Sequence, residues 1–228
     1  MAYWVSGKIA AAFQKGKTVN EIGDSRSGMQ TGNNDLFLRM WYEVVYSKIN
    51  FSIRSIEQSV EMGEKWIPQP KGGPYRKWYG NLEYVVNFGN GGMDLNNYDG
   101  TSIIKNPQYY FLQGITWSHT TSKAFSARYM PEGYIFNVEA PSLYLNSEQH
   151  LPYILGVFNT KVLDMLFGAI SQTMHYMAGD MAKIPLFFTS EKARIESVGK
   201  AVKTNIENAK CDWDSFEISW DFRRHPLI

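Results

Sequence analysis

The chain has 228 residues and a formal net charge of +1; 44% of its residues are hydrophobic, 20% charged and 15% aromatic. That gives room for one domain with a sizeable core, or one domain with an extension, and the near-zero charge excludes capture of nucleic acid through a strong overall field. A single cysteine, Cys211, excludes an internal disulfide and a cysteine-rich zinc site; no apolar run reaches the roughly 18 residues of a membrane span, and the first residues lack the basic start and apolar core of a signal peptide, so a reducing cytoplasm is the expected setting.

Trp4, Ile9 and Phe13 fall on one face of a helix over Tyr3 to Lys15, with Gly16 placed where it would stop. Ser25 to Asn34 mixes two glycines with Ser, Gln, Thr and Asn and reads as loop or hairpin. Phe37 to Ile49, aromatic and β-branched, reads as a strand turning into a helix. Residues 66–80 carry three prolines and three glycines, which forbids a long helix. Strands are expected at Leu82–Phe88, Tyr109–Leu112, Gly114–Ser118, Ala124–Tyr129 and Tyr134–Asn137, with a loop at Gly89–Gly100.

Leu151 to Gly168 shows helical spacing, and Met181–Leu186 reads as a short edge strand or connector. Ile195, Val198, Val202 and Ile206 form the stripe of a second helix, with Ser190 as its N-cap. Strands come first and helices after, so the expected class is α+β. The expected organisation is a globular part over residues 1–188 and a helical extension over 189–228.

Two strings imitate a methyltransferase centre. Asn106-Pro107-Gln108-Tyr109 resembles the Asn-Pro-Pro-aromatic grip on a flipped adenine, and Phe88-Gly89-Asn90-Gly91-Gly92 resembles a methyl-donor turn. That turn belongs between a strand and a helix of a βαβ unit of about 30 residues. Only 13 residues separate Gly92 from Asn106, and the second proline is missing, so both are read as decoys. The four histidines are scattered without metal-ligand spacing, and the phosphate-loop pattern is absent. No catalytic, metal or cofactor residue is assigned.

What remains is recognition chemistry. Residues 1–128 hold 14 Lys/Arg against 10 Asp/Glu, and residues 129–228 hold 9 against 12, which places any nucleic-acid contact in the first part. Arg26, Gln30, Thr31, Asn33 and Asn34 surround two glycines; Gln and Asn suit the edge of adenine, and Arg that of guanine. Lys71, Arg76 and Lys77 cluster on a Gly/Pro-bounded loop. Trp117-Ser118-His119-Thr120-Thr121-Ser122-Lys123 is a second polar loop, with Arg128 close behind.

Several strings, in fixed order, resemble the PglX-type adenine-specific DNA methyltransferases of BREX phage-defence systems. They are Ala2-Tyr3-Trp4-Val5-Ser6, Gly28-Met29-Gln30-Thr31-Gly32-Asn33-Asn34, Lys71-Gly72-Gly73-Pro74-Tyr75-Arg76-Lys77-Trp78-Tyr79-Gly80-Asn81, Gly114-Ile115-Thr116-Trp117-Ser118, Gly179-Asp180-Met181-Ala182-Lys183-Ile184-Pro185-Leu186 and Ser219-Trp220-Asp221-Phe222-Arg223-Arg224-His225-Pro226-Leu227. The resemblance spans nearly the whole chain and places it after the family's catalytic motifs, as an excised domain or truncated product. It implies a target-recognition domain like the specificity domains of restriction–modification enzymes, whose partners are double-stranded DNA, the catalytic domain and other BREX proteins. S-adenosylmethionine would belong to the full-length enzyme, with no cofactor in this chain.

On that reading Gln30, Thr31, Asn33 and Asn34 contact bases or backbone. Arg26, Lys71, Arg76, Lys77, Lys123 and Arg128 take phosphates or guanines, and Ser118 lies on the contacting loop. Trp117 is a wedge or stacking ring, with burial as the alternative. A second reading is a protein-interaction module that uses the Ile195/Val198/Val202/Ile206 stripe, against packing of that stripe on the chain's own core. A third is an aromatic-rich carbohydrate-binding module.

Overall fold

The computed structural model describes residues 5–98, 100–171, 173–188, 191–225 and 227–228. Helix α1 (Gly7–Lys15) starts where Ser6 Oγ accepts from the Ile9 amide and stops at Gly16. Trp4 and Ser190 lie outside the described residues. Among the described residues nine short strands form three antiparallel sheets. The smallest pairs β1 (Lys17–Thr18) with β9 (Pro185–Leu186). A four-stranded sheet runs β2 (Gly23–Arg26), β8 (Ser142–Leu145), β6 (Gly114–Trp117), β7 (Ala127–Met130). A three-stranded sheet runs β3 (Leu38–Met40), β5 (Tyr84–Asn87), β4 (Trp66–Gln69). The remaining helices are α2 (Val19–Ile22), α3 (Asn34–Phe37), α4 (Ile56–Glu61), α5 (Gly89–Asn96), α6 (Leu151–Phe158), α7 (Lys161–Gly168), α8 (Ala178–Met181) and α9 (Lys192–Trp213). The class is α+β, as the chain order of apolar periodicities indicates.

Two cores share the molecule. In the first, Leu38, Ile67 and Val86 stand opposite one another on one face of the three-stranded sheet and pack with Phe88, Tyr110, Phe111, Phe136 and Trp213. In the second, Ile115, Ala127 and Leu143 of the larger sheet meet Ile154, Leu155 and Phe158 of α6, with Leu163, Phe167 and Val202 around them. Tyr129 and Ile206 pack against both. The apolar stripe of α9 therefore faces the chain's own core. Gly156 of α6 permits the close approach, since a Cβ there would meet Val202 Cγ2 at 2.9 Å.

Several expected elements differ. Leu151–Gly168 is two helices, because the Asn159 carboxamide leaves the helix to bond both the amide and the carbonyl of Ala127 at 3.0 Å. Gly89–Gly100 contains α5, entered through Asn90, Gly91 and Gly92 in left-handed conformation. Tyr109 ends a 3-10 turn (Pro107–Tyr109), Tyr110 and Phe111 enter the core and Leu112 is exposed, while Tyr134–Asn137 is buried but irregular. After β3 the chain makes 3-10 turns in place of a helix.

Candidate nucleic-acid interface

Residues 26–34 run alongside Tyr98 and residues 100–109 and form a ridge. The backbone of Gln30 is locked by a reciprocal pair: its amide donates to the Ile103 carbonyl at 2.9 Å, and the Ile103 amide donates back at 2.8 Å. Ser102 Oγ donates to the Thr31 carbonyl at 2.5 Å, Asn33 Nδ2 to Tyr98 Oη at 2.8 Å, and Asn106 Nδ2 to the Ser27 carbonyl at 2.9 Å. Gly32, at φ +70, turns the chain where a Cβ would meet the Ser102 nitrogen at 2.8 Å. The amides of Gln30 and Asn34 are exposed on this fixed backbone. Thr31 and Asn33 serve the ridge itself: Thr31 is buried and donates to Asn34 Oδ1, and Asn33 Oδ1 caps α3. Arg26 lies against Asp24 and 5.7 Å over the Tyr109 ring, and hydrogen bonding to Tyr109 raises its pKa.

The Lys71–Asn81 loop is built inward. Arg128, expected at a phosphate or guanine, is 1% exposed at the centre of this loop. Its guanidinium donates to the carbonyls of Gly72 (3.1 Å) and Arg76 (3.4 Å) and to Ser118 Oγ (3.3 Å). Burial pushes its pKa down to about 10. Asn81 Nδ2 donates to the Gly72 and Pro74 carbonyls, and Ser118 Oγ to that of Gly73. Arg76 pairs with Asp212 at 2.8 Å and lies 5.1 Å over Trp213, while Lys77 Nζ donates to the Asn159 carbonyl at 2.7 Å. Arg128 and Ser118 are buried and hold the fold together, so their assignment as DNA contacts is corrected; Arg76 and Lys77 are partly exposed, with their charged ends engaged by Asp212 and the Asn159 carbonyl. Lys71 stands 5.3 Å over the Tyr84 ring and stays partly exposed.

Trp117 takes its burial alternative: it is 0% exposed, and its indole donates to the Tyr176 carbonyl at 2.8 Å. A ring that completes a core cannot also wedge into DNA. Lys123 remains exposed on its loop. That loop is clipped to residues 174–176 through Thr121 to Met174 and Tyr176 to His119 backbone bonds.

The three sequence-defined regions meet on one seam, residues 136–140. Met29 donates to the Phe136 carbonyl and Val138 to that of Met29. Asn137 bonds Gln69 in the strand leading to the Lys71 loop, and the His119 amide donates to the Glu139 carbonyl. Two exposed ridge residues, Lys105 and Gln108, were not among the sequence candidates. The signal for Gln108 was present, an amide side chain in a proline-containing turn.

The residues resembling a methyl-donor turn do not fit such a group. β5 feeds α5, but it is paired antiparallel on both sides, so the parallel βαβ frame is not formed there. The Phe88 ring and Ile104 fill the space against Gly92, where a Cβ would lie 2.6 Å from Phe88 Cε2. Asn106 is spent on Ser27. Among the described residues no three His, Cys, Asp or Glu side chains come together as a metal cage, and no helix is long and apolar enough to cross a membrane.

No family model matches the chain. Along its full length it is similar to a segment of adenine-specific methyltransferases, in agreement with the resemblance carried by its strings. One is the adenine-specific methyltransferase PglX of Lacticaseibacillus casei (strain Zhang), 35% identical over 235 residues; another is the adenine-specific methyltransferase BrxX of Escherichia coli O9:H4 (strain HS), 33% identical over 232 residues. All of the chain is covered in both, and it spans 19% and 18% of these relatives' lengths.

Proposed function

We propose that the chain is the DNA-reading module of a PglX-type adenine-specific methyltransferase of a BREX system, without a catalytic centre of its own. It holds the duplex and reads bases flanking the target adenine. Methyl transfer from S-adenosylmethionine to adenine N6, on a base taken out of the stack, falls to another part of the parent enzyme. Its partners are double-stranded DNA, the catalytic part of that enzyme and other BREX proteins, in the cytoplasm.

The observation that carries this reading is the ridge. Gln30 projects an exposed carboxamide from a backbone fixed at both its N–H and its C=O. Asn34 sits four residues on, its Oδ1 engaged by Thr31, and Lys105 and Gln108 lie on the adjoining segment. Gln and Asn read the N6/N7 edge of adenine bidentately, and a locked backbone reduces the ordering cost of doing so.

Selection of bound sequences from a randomised duplex pool tests it. The chain should enrich a motif, and Gln30→Ala with Asn34→Ala should relax one or two positions of it, each worth about 1–3 kcal/mol of discrimination. No enrichment by the unsubstituted chain would remove the reading in favour of the protein-interaction module. That alternative is supported by an aromatic surface in which Trp41, Tyr46, Phe51 and Trp220 touch in series, Tyr46 exposed and the other three partly so, with Tyr42, Val45, Phe216 and Ile218 also exposed.

A further inference from the structure

The Lys71–Asn81 loop is held from within, and one aromatic residue is left outside. The carbonyls of Gly72, Gly73, Pro74 and Arg76 all accept bonds from the buried side chains of Arg128, Asn81 and Ser118. Trp78 is tied to both neighbours of Arg128, its amide to Ala127 and its carbonyl to Tyr129. Five residues of the loop have positive φ, among them Trp78 at 73° and Asn81 at 59°. A bulky residue in that region is strained, and such strain collects at functional segments.

Of the loop's three aromatic residues, Tyr79 belongs to the first core and Trp78 packs against the second. Tyr75 is 40% exposed, and among the described residues it makes no hydrogen bond or ring contact. Gly73 and Pro74 beside it are exposed too. The loop carries Lys71, Arg76 and Lys77 and no acidic residue; among the described residues Arg76 pairs with Asp212, Lys77 Nζ donates to the Asn159 carbonyl and Lys71 has no ion pair.

We propose that Pro74–Tyr75 is a wedge that inserts against the bases of duplex DNA, its loop pre-shaped by Arg128, Asn81 and Ser118. The inference rests on the DNA-reading role above and adds to it a contact by stacking rather than by hydrogen bonds. Apolar and aromatic wedges unstack base steps, and the cost is repaid by the closer wrapping of the bent duplex. A rigid loop serves this better than a mobile one, because the ordering entropy has been spent on folding. Lys71, partly exposed on the same loop, supplies a cation for the phosphates beside an opened step.

The test uses the whole chain and a short duplex carrying the selected motif, with 2-aminopurine replacing successive adenines. Binding should raise 2-aminopurine fluorescence at one step, as a base loses its neighbour. Tyr75→Ala should abolish that rise and weaken binding roughly 5- to 100-fold, the range of one base–aromatic stack. Its slope of log affinity against log salt should not change, because no phosphate contact is lost. Tyr75→Phe should keep both signals. The melting temperature of Tyr75→Ala should stay close to that of the unsubstituted chain, since among the described residues the ring makes no hydrogen bond or ring contact. If the chain binds duplex and Tyr75→Ala binds equally, with the same fluorescence rise, the wedge is overturned and the tip serves a protein instead. If the unsubstituted chain binds no duplex at low salt, the DNA-reading role fails and the wedge with it.

Discussion

A guanidinium in a protein interior needs acceptors for its N–H groups, and Arg128 finds three: two loop carbonyls and one hydroxyl. Its Nε has none, and neither does the buried Oε2 of Glu83. The two charges feel each other without forming an ion pair among the described residues: Glu83 favours the charged Arg128, while burial opposes it. Burial likewise raises the Glu83 carboxyl above its usual 4.5, against the pull of a backbone hydrogen bond, Arg128 and Arg76. A carboxyl whose folded pKa exceeds its unfolded value stabilises the fold when protonated. That contribution is present below the unfolded value and is lost as pH rises through the folded one. Glu83 therefore weakens the fold at neutral pH. Glu83→Gln is expected to raise the melting temperature by a few degrees at pH 7, and the gain should shrink as pH falls towards the ordinary carboxylate range. Thermal melts of both proteins across that window check it; a gain independent of pH would place the effect in packing instead.

Residue type alone foretold the inward cations poorly. Arg76 and Lys77 read from sequence as a basic cluster with Lys71, and Arg128 as a cation behind a second polar loop, because nothing local tells a phosphate contact from a carbonyl contact. What turns them inward is distant in the chain: Asp212 and Trp213 for Arg76, and Asn159 for Lys77. The amides of Gln30 and Asn34 were legible, because their glycine-containing, polar surroundings leave them at the surface whatever the partner segment.

At the scale of elements, periodicity served where one segment decides its own structure. The stripe of α9 and the alternation of β5 are local signals, and both appear where the sequence places them. β2 (Gly23-Asp24-Ser25-Arg26) carries no apolar alternation and is a strand only because β8 pairs with all four of its residues. The break between α6 and α7 depends on Asn159 reaching across to β7, which no helical spacing reveals. The contact between the Lys71–Asn81 loop and the end of α9 is equally non-local, and it rests on Gly80. At φ +115, a Cβ there would lie 2.5 Å from Arg76 Cδ and 2.8 Å from Trp213 Cε3. Gly80→Ala is expected to cost about 2 kcal/mol from the backbone conformation alone, and more from displacing Trp213, which belongs to the first core. The melting temperature should drop by several degrees, with earlier proteolysis after α9. A neutral Gly80→Ala would mean that the loop and helix end are not coupled.

For the whole molecule, charge sets the character of any DNA contact. The formal net charge of +1 gives little long-range attraction, the interior has claimed Arg128, and Arg76 and Lys77 are engaged by Asp212 and the Asn159 carbonyl. Four cations remain near the three regions gathered on residues 136–140: Arg26, Lys71, Lys105 and Lys123. Arg26 is already shared with Asp24. Each neutralised phosphate contributes about 0.9 to the slope of log affinity against log salt on B-form DNA, so three or four contacts predict a slope near −3. On the proposed reading, binding by the chain alone is expected to be weak. Fluorescence anisotropy of a labelled duplex across a salt series measures the slope directly. A value near −3 that becomes shallower by about one unit in Lys71→Ala or Lys123→Ala would fix the footprint on this face. A slope steeper than about −6 would require more cations than the face holds, and would move the contact to the lysine-rich exposed side of α9, where Lys192, Lys200 and Lys203 stand.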